Sequence, residues 1–365
     1  MEQSQSSKYR PAEPLESRHV FLDTQVYRAL GYNPENPALK TLKDHIQAHR
    51  VVLHVTDITL LEVKRQLVEA AHTRARELIA IERDLRRWRK QAPDATPKRV
   101  LEIDAAGIGE ELFQRFYSFI AHECRAKVHN SLAVVSAEEV FQSYFARKAP
   151  FDREGSKEFP DAFALAGLSK AAASSGDKIY IVTGDGAMGR AAKGDPNLLS
   201  LRTIQEVLSR AAAKMGSEAE GIAEALLNEA AFDASFERLL ETGVKDVAFI
   251  YAGDLAEGEA YEGELTEIEQ VGDWSIVGLS EKRVSLILDT TIKVSVEVQY
   301  EDRDSAFYDR EDGVWIGAED AAMEVEDKAE VAVLVEIDRA SGEVVGGELL
   351  TSEIRVSGSY DDLYS

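Results

Sequence analysis

Five short apolar runs, HVFLD at 19–23, RVVLHV at 50–55, SLAVV at 131–135, KIYIVT at 178–183 and LLSLR at 198–202, are separated by stretches with helical spacing. Runs this short suit strands buried on both faces rather than helices. Alternated with helices, they predict a doubly wound parallel α/β sheet of about five strands. Thr56 is placed to N-cap the long pattern DITLLEVKRQLVEAAHTRARELIAIERDLRRWRKQ, and Pro160 suits the first turn of a helix over FPDAFALAGL. A second helical block runs from about 98 to 129. The block from about 64 to 130 reads as a helical insertion in the sheet domain.

At 365 residues the chain is long enough for two domains. Around residue 215 the period changes: RVSLILDTTIKVSVEVQY, AEVAVLVEID and SEIRVSG alternate with period two, which predicts an antiparallel, β-rich (α+β) domain. Charge changes at the same place. Residues 215–365 carry 38 Asp plus Glu against 10 Lys plus Arg, whereas the first 214 residues carry 28 against 32. The net charge of −24 therefore joins a mildly basic half to a strongly acidic one. Such a split accompanies nucleic-acid work coupled to an acidic module. The expected organisation is a disordered tail over 1–16, a sheet domain over 17–214 and an acidic β-rich domain over 215–365. The polar start MEQSQSSKYRPAEPLESR has no apolar leader core, and no uncharged apolar run of about 18 residues exists, so a cytoplasmic protein without a membrane partner is expected. The single cysteine, Cys124, excludes an internal disulfide and reads as a small buried hydrophobe.

In open α/β sheets, ligands bind beyond the carboxyl ends of the strands. Four acids occupy such positions: Asp23 ends the first run, Glu62 lies early in the helix after the second, Asp161 opens the helix before the fourth, and Asp185 follows the fourth in IVTGDGAM. Each alone has a plainer reading. Asp23 would cap a helix, Glu62 would sit on a solvated face, Asp161 would favour a helix dipole, and Asp185 would be a turn residue between Gly184 and Gly186. The plainer readings do not explain why all four fall at corresponding ends of a parallel sheet. Gathered in one cleft, four carboxylates repel unless protons or cations neutralise them. Mg²⁺ or Mn²⁺, which prefer oxygen ligands, would do so and would suit phosphodiester hydrolysis.

The motifs VFLDT, TDITLLEVKRQL, GSKEFPDAFALAGL and IYIVTGDGAM, in this order, resemble those of PIN domains over about residues 18–210. That resemblance implies a metal-dependent nuclease, usually acting on RNA rather than DNA, with a role in toxin-type growth control or phage defence. It places Asp23, Glu62, Asp161 and Asp185 at the acidic positions and Thr183 at the small hydroxyl position beside the last acid. Many PIN domains carry a further acid two residues after the position of Asp185; Ala187 stands there in this chain, which leaves fewer ligands for a second metal. Lys157 is a candidate phosphate contact, and Glu158 a candidate supporting acid.

Arg83, Arg86, Arg87 and Lys90, with Arg74, Arg76 and Arg89, would track a nucleic-acid backbone, or else form a solvated helix with Glu77, Glu82 and Asp84. Trp88 and Tyr117 are expected in the core. The seven histidines show no metal-ligand spacing, and His45 and His49 read as surface residues. Two other functions compete: a PIN-like scaffold without catalysis that binds nucleic acid or protein, and a phosphatase of the haloacid dehalogenase type with Asp23 as nucleophile. The latter lacks its expected second aspartate, Gln25 standing in its place. The acidic domain would either restrain the nuclease or dock a regulatory protein.

Overall fold

A computed structural model describes residues 8–91, 103–153, 155–303, 306–309 and 314–357. They divide into two compact units with the boundary between residues 211 and 212, and residues 8–14 belong with the second unit.

In the first unit the elements run β1 (His19–Leu22), α1 (Thr24–Ala29), α2 (Pro37–Gln47), β2 (Val52–Thr56), α3 (Asp57–Gln91), α4 (Ala105–Ser118), β3 (Lys127–His129), α5 (Ser131–Val134), α6 (Ala137–Phe145), α7 (Phe159–Ser175), β4 (Ile179–Val182), α8 (Gly186–Lys193), β5 (Leu198–Leu201) and α9 (Ile204–Ala212). All five strands are parallel, in the order β3-β2-β1-β4-β5. The chain builds outward from β1 in one direction and then returns to β1's other side, so strand order reverses between β1 and β4. Those two strands are apolar and fully buried, as a sheet covered on both faces requires. On one side Phe21, Ile179 and Ile181 pack with Leu165 and Leu168 of α7 and Met188 of α8.

Local signals start the helices where the sequence places them. Asn36 accepts from the amides of Ala38 and Leu39 ahead of α2, and Ser136 accepts from Glu139 N–H ahead of α6. Thr56 Oγ1 accepts from Thr59 N–H at the start of α3.

One strand differs from expectation. SLAVV is not a strand: its first four residues form α5, and the third strand is the preceding Lys127–His129, within the block read as helical. The reason is tertiary. The Asp57 carboxylate accepts from the amides of Ser131 and Leu132 and thereby caps α5 from 74 residues away. Leu132 and Val134 point outward, 54 % and 56 % exposed, while Val135, the residue after α5, packs with Val140, Phe151 and Ala162.

β3 is instead secured by histidines. A His19 ring nitrogen lies 2.8 Å from His54, whose other ring nitrogen lies 2.7 Å from His129, and the His54 and His129 rings are stacked. This buried chain joins β1, β2 and β3. Its members gave no signal by spacing, because their contacts run across strands. Two other histidines separate: His49 is exposed, while His45 is fully buried against Arg50, contrary to the surface role expected of it. Cys124 is buried.

The second unit comprises α10 (Gly216–Leu227), α11 (Ala230–Lys245), β6 (Ala248–Tyr251), β7 (Glu259–Leu279), β8 (Arg283–Asp302), β9 (Phe307–Asp309), β10 (Val314–Ile316), β11 (Glu319–Asp338), β12 (Val344–Leu349) and β13 (Glu353–Val356). It is β-rich. Four strands form an antiparallel sheet in the order β12-β11-β8-β7, β9 pairs with β10, and β13 pairs in parallel with β6. In β8 every second residue from Val284 to Val298 is buried, with Phe232, Phe236 and Leu240 of α11 in the same core. The expected disordered tail does not extend over residues 8–10, while residues 1–7 lie outside the described residues. Arg10 N–H donates to Trp274 O, Trp274 N–H donates to Lys8 O, and Arg10 pairs with Asp273 at 2.6 Å. Among the described residues no helix is long and apolar enough to cross a membrane.

The histidine chain has a pH consequence. Burial, then the neighbouring His129, His19 and Lys127, push His54 down to about 3 from the ordinary 6.5. The folded state thus binds fewer protons than the unfolded chain between those values, so stability present above pH 6.5 is lost as pH falls toward 3. Replacing His54 with Gln, which donates and accepts but does not titrate, is expected to flatten the acid limb of the melting temperature against pH. Parallel limbs for the two proteins would contradict this.

Candidate active site

The site grows from the reversal of strand order. There the carboxyl ends of β1 and β4 lie side by side, and the residues that leave them share one crevice. Asp23 N–H donates to Val182 O at 3.0 Å, which carries the ladder one residue past the end of β1. The Asp23 side chain is buried and is aimed by a relay. Asp185 N–H donates to Thr183 Oγ1 at 3.0 Å, which leaves the Thr183 hydroxyl proton directed at Asp23 Oδ2, 2.7 Å away.

The other acids are fixed one by one. Asp185 caps α8: its Oδ1 accepts from the amides of Ala187 and Met188 at 2.6 and 2.8 Å, with no bond to Oδ2 among the described residues. Ala187, where another acid was considered, is thus inside the first turn of α8 and buried. Glu62, on the second turn of α3, accepts from the Thr24 hydroxyl at 2.7 Å. Thr24 is a contributor that the sequence reading missed, its only signal being its place directly after Asp23. Beside Glu62, the Tyr32 hydroxyl donates to Gln66 Oε1.

Asp161, in the first turn of α7, is half-buried and has the harshest surroundings. Desolvation, then the charges of Asp23, Glu158, Glu62 and Asp185, push its carboxyl up to about 8 from 3.8. Every contribution acts in the same direction, and no cation appears among them. Asp23 is also raised, first by burial and more weakly by Glu62 and Asp185, although the Thr183 hydroxyl opposes this. The four predicted acids therefore share one electrostatic environment, and Glu158, exposed at the N-cap position of α7, adds a fifth charge to it.

The oxygen donors available to a hard cation are the carboxylates of Asp23, Glu62, Asp161 and Asp185. Among the described residues no three acidic, histidine or cysteine side chains are drawn together closely enough to hold a metal ion as they stand. Mutual repulsion and separate hydrogen bonds account for that spacing.

The remaining candidates lie further out. Lys157 is exposed just ahead of α7. Arg83, Arg86, Arg87 and Lys90 are exposed on α3, the first of them about 30 Å along the helix axis from Glu62 at 1.5 Å per residue. Arg86 and Arg87 are partly neutralised by Glu82 and Asp84 on the same helix. Trp88 does not enter the core as expected: it is 59 % exposed beside these cations, whereas Tyr117 is half-buried against Phe113 and His122.

A family profile described as PIN domain matches residues 20–188, a span that contains all four acids. No curated protein and no solved structure gives a significant match.

The elevated Asp161 allows a test that needs no substrate. Between pH 3.8 and about 8 the folded state binds more protons here than the unfolded chain, so this group's contribution to stability is present at low pH and lost as pH rises. In EDTA, Asp161→Asn is expected to melt above wild type near pH 8, with the gap closing toward pH 4. A gap independent of pH would show that Asp161 is not held protonated.

Proposed function

We propose that residues 20–188, which belong to the PIN-domain family, form a divalent-metal-dependent nuclease that hydrolyses phosphodiester bonds in RNA. PIN domains are in general nucleases acting on nucleic acids. The observation that carries the reading to this chain is the convergence of Asp23, Glu62, Asp161 and Asp185 from four separate elements where strand order reverses.

The donor set is made of hard oxygens in a place where negative charge is uncompensated, which suits Mg²⁺ or Mn²⁺. A cation held there supplies an activated water and neutralises charge on the phosphoryl oxygens. The protein's own groups prepare for it. Asp161 would have to be ionised to serve as a ligand. Thr183 and Thr24 orient Asp23 and Glu62, and the amides at the start of α8 hold Asp185 by Oδ1. Lys157 would meet a backbone phosphate near the cleft. The basic stretch of α3 would contact the strand several nucleotides away, where exposed Trp88 offers a stacking surface.

RNA is preferred over DNA on the strength of the family resemblance, and a cytoplasmic setting goes with the single reduced Cys124. The acidic unit is assigned a regulatory part in the same proposal, either restraining cleavage or docking a regulatory protein, because its net charge of −28 over residues 215–365 disfavours polyanions.

Labelled single-stranded RNA and DNA, incubated with Mn²⁺, Mg²⁺ or EDTA, test the proposal. Cleavage of RNA with either metal and none in EDTA is expected. Thr183→Ala should slow it about 10- to 100-fold, as loss of a ligand-orienting group does, and Asp161→Asn should slow it more. Equal rates in EDTA would remove the metal from the mechanism. No cleavage by a folded wild type that binds Mn²⁺ and RNA would favour a binding scaffold.

A further inference from the structure

One ion pair beside the carboxylates remains unaccounted for by them. Arg190 Nε and Nη2 donate to the two oxygens of Asp152 at 2.7 and 3.0 Å, a parallel, bidentate arrangement. Arg190 lies four residues after Gly186 on α8, so the two share a helix face, and a helical side chain runs back toward the N-terminus. The guanidinium accordingly reaches back over Gly186, where a Cβ would come within 3.2 Å of Nη1. It feels the charge of Asp185. Nη1 has no partner among the described residues.

We propose that the Nη1 edge of Arg190 binds a backbone phosphate flanking the bond that is cut, and that Asp152 is the positioning residue that aims it. The inference rests on the nuclease reading above. A planar guanidinium with one edge clamped presents its remaining donors in a fixed direction, which suits phosphate oxygens better than a mobile ammonium does. The need for such a group is electrostatic. Besides burial, the charges that raise Asp161 are all acids, and acids are the charged neighbours acting on Asp23, so a phosphate entering the crevice needs a cation near it. Arg190 is that cation.

The test uses the intact protein and a fluorescein-labelled single-stranded RNA in EDTA, with anisotropy followed as KCl is raised, and kcat and KM measured separately in Mn²⁺. Arg190→Ala is expected to weaken binding about tenfold and to reduce the slope of log affinity against log salt by about 0.7, the share of one phosphate contact on a single strand. Its effect should fall on KM more than on kcat. Arg190→Lys and Asp152→Asn should keep the slope and weaken binding less, because charge remains and only its aim is lost. A purely structural pair would instead lower the melting temperature equally for Arg190→Ala and Asp152→Ala and leave the slope unchanged. Equal binding and slope for wild type and Arg190→Ala would overturn the role of Arg190 alone. Failure of the wild type to bind RNA both in EDTA and with Ca²⁺ in its place would overturn the nucleic-acid reading together with it.

Discussion

Repulsion among carboxylates is the constraint on which the rest of this site depends. Asp23, Glu62, Asp161 and Asp185 would separate if their backbones allowed it, and they are kept near one another only because each is anchored to a different rigid element. Three receive a local dipole in compensation: the Thr183 hydroxyl for Asp23, the Thr24 hydroxyl for Glu62, and two amides of α8 for Asp185. Asp161 has the N-terminal end of α7 and no comparable hydrogen bond. Burial first, and then the charges of the neighbouring acids, push its carboxyl up and favour its protonated form. Such a cluster is stable as a protonated site or as a cation site, and it passes between the two states by exchanging one for the other.

The parallel sheet makes this frustration tolerable. Because strand order reverses at β1 and β4, their carboxyl ends are neighbours, and the hydrogen bond from Asp23 N–H to Val182 O extends sheet rigidity to the backbone of Asp23. Thr183, buried directly after β4, joins both sides of the crevice, receiving from Asp185 and donating to Asp23. Its loss would leave every carboxylate in place while removing the direction of one of them.

These relations also show what could be read from sequence. The four acids were legible because each follows a strand or opens a helix, and such positions are set by local pattern. Thr24, Asp152 and Arg190 were not, since their partners lie 38 positions or more away in the chain. The error at SLAVV has the same origin: β propensity favoured a strand, but Asp57 supplies a cap from a distant helix and Leu132 and Val134 face outward. The histidine chain hid for a related reason, since its three members share no sequence period and meet only across β1, β2 and β3. The second unit was easier, its alternation being a direct imprint of one buried sheet face.

Charge decides how a polyanion can approach such a molecule. With a net charge of −24 the whole protein repels RNA at a distance, and the crevice itself adds to the repulsion. The Debye length is about 8 Å at physiological ionic strength, so this penalty is largely screened beyond the nearest groups. On the proposed nuclease reading, binding would then be decided at contact range, by guanidinium and ammonium groups already held in place and by a divalent cation that would reverse the sign of the crevice. A guanidinium clamped by Asp152 gains from this regime: its direction is set before the strand arrives, so little side-chain entropy is lost on contact. The same reasoning would give the proposed metal a second task. Until the carboxylates are neutralised, the place where hydrolysis would occur is the place a phosphate avoids most, so cation loading should precede productive entry of the strand.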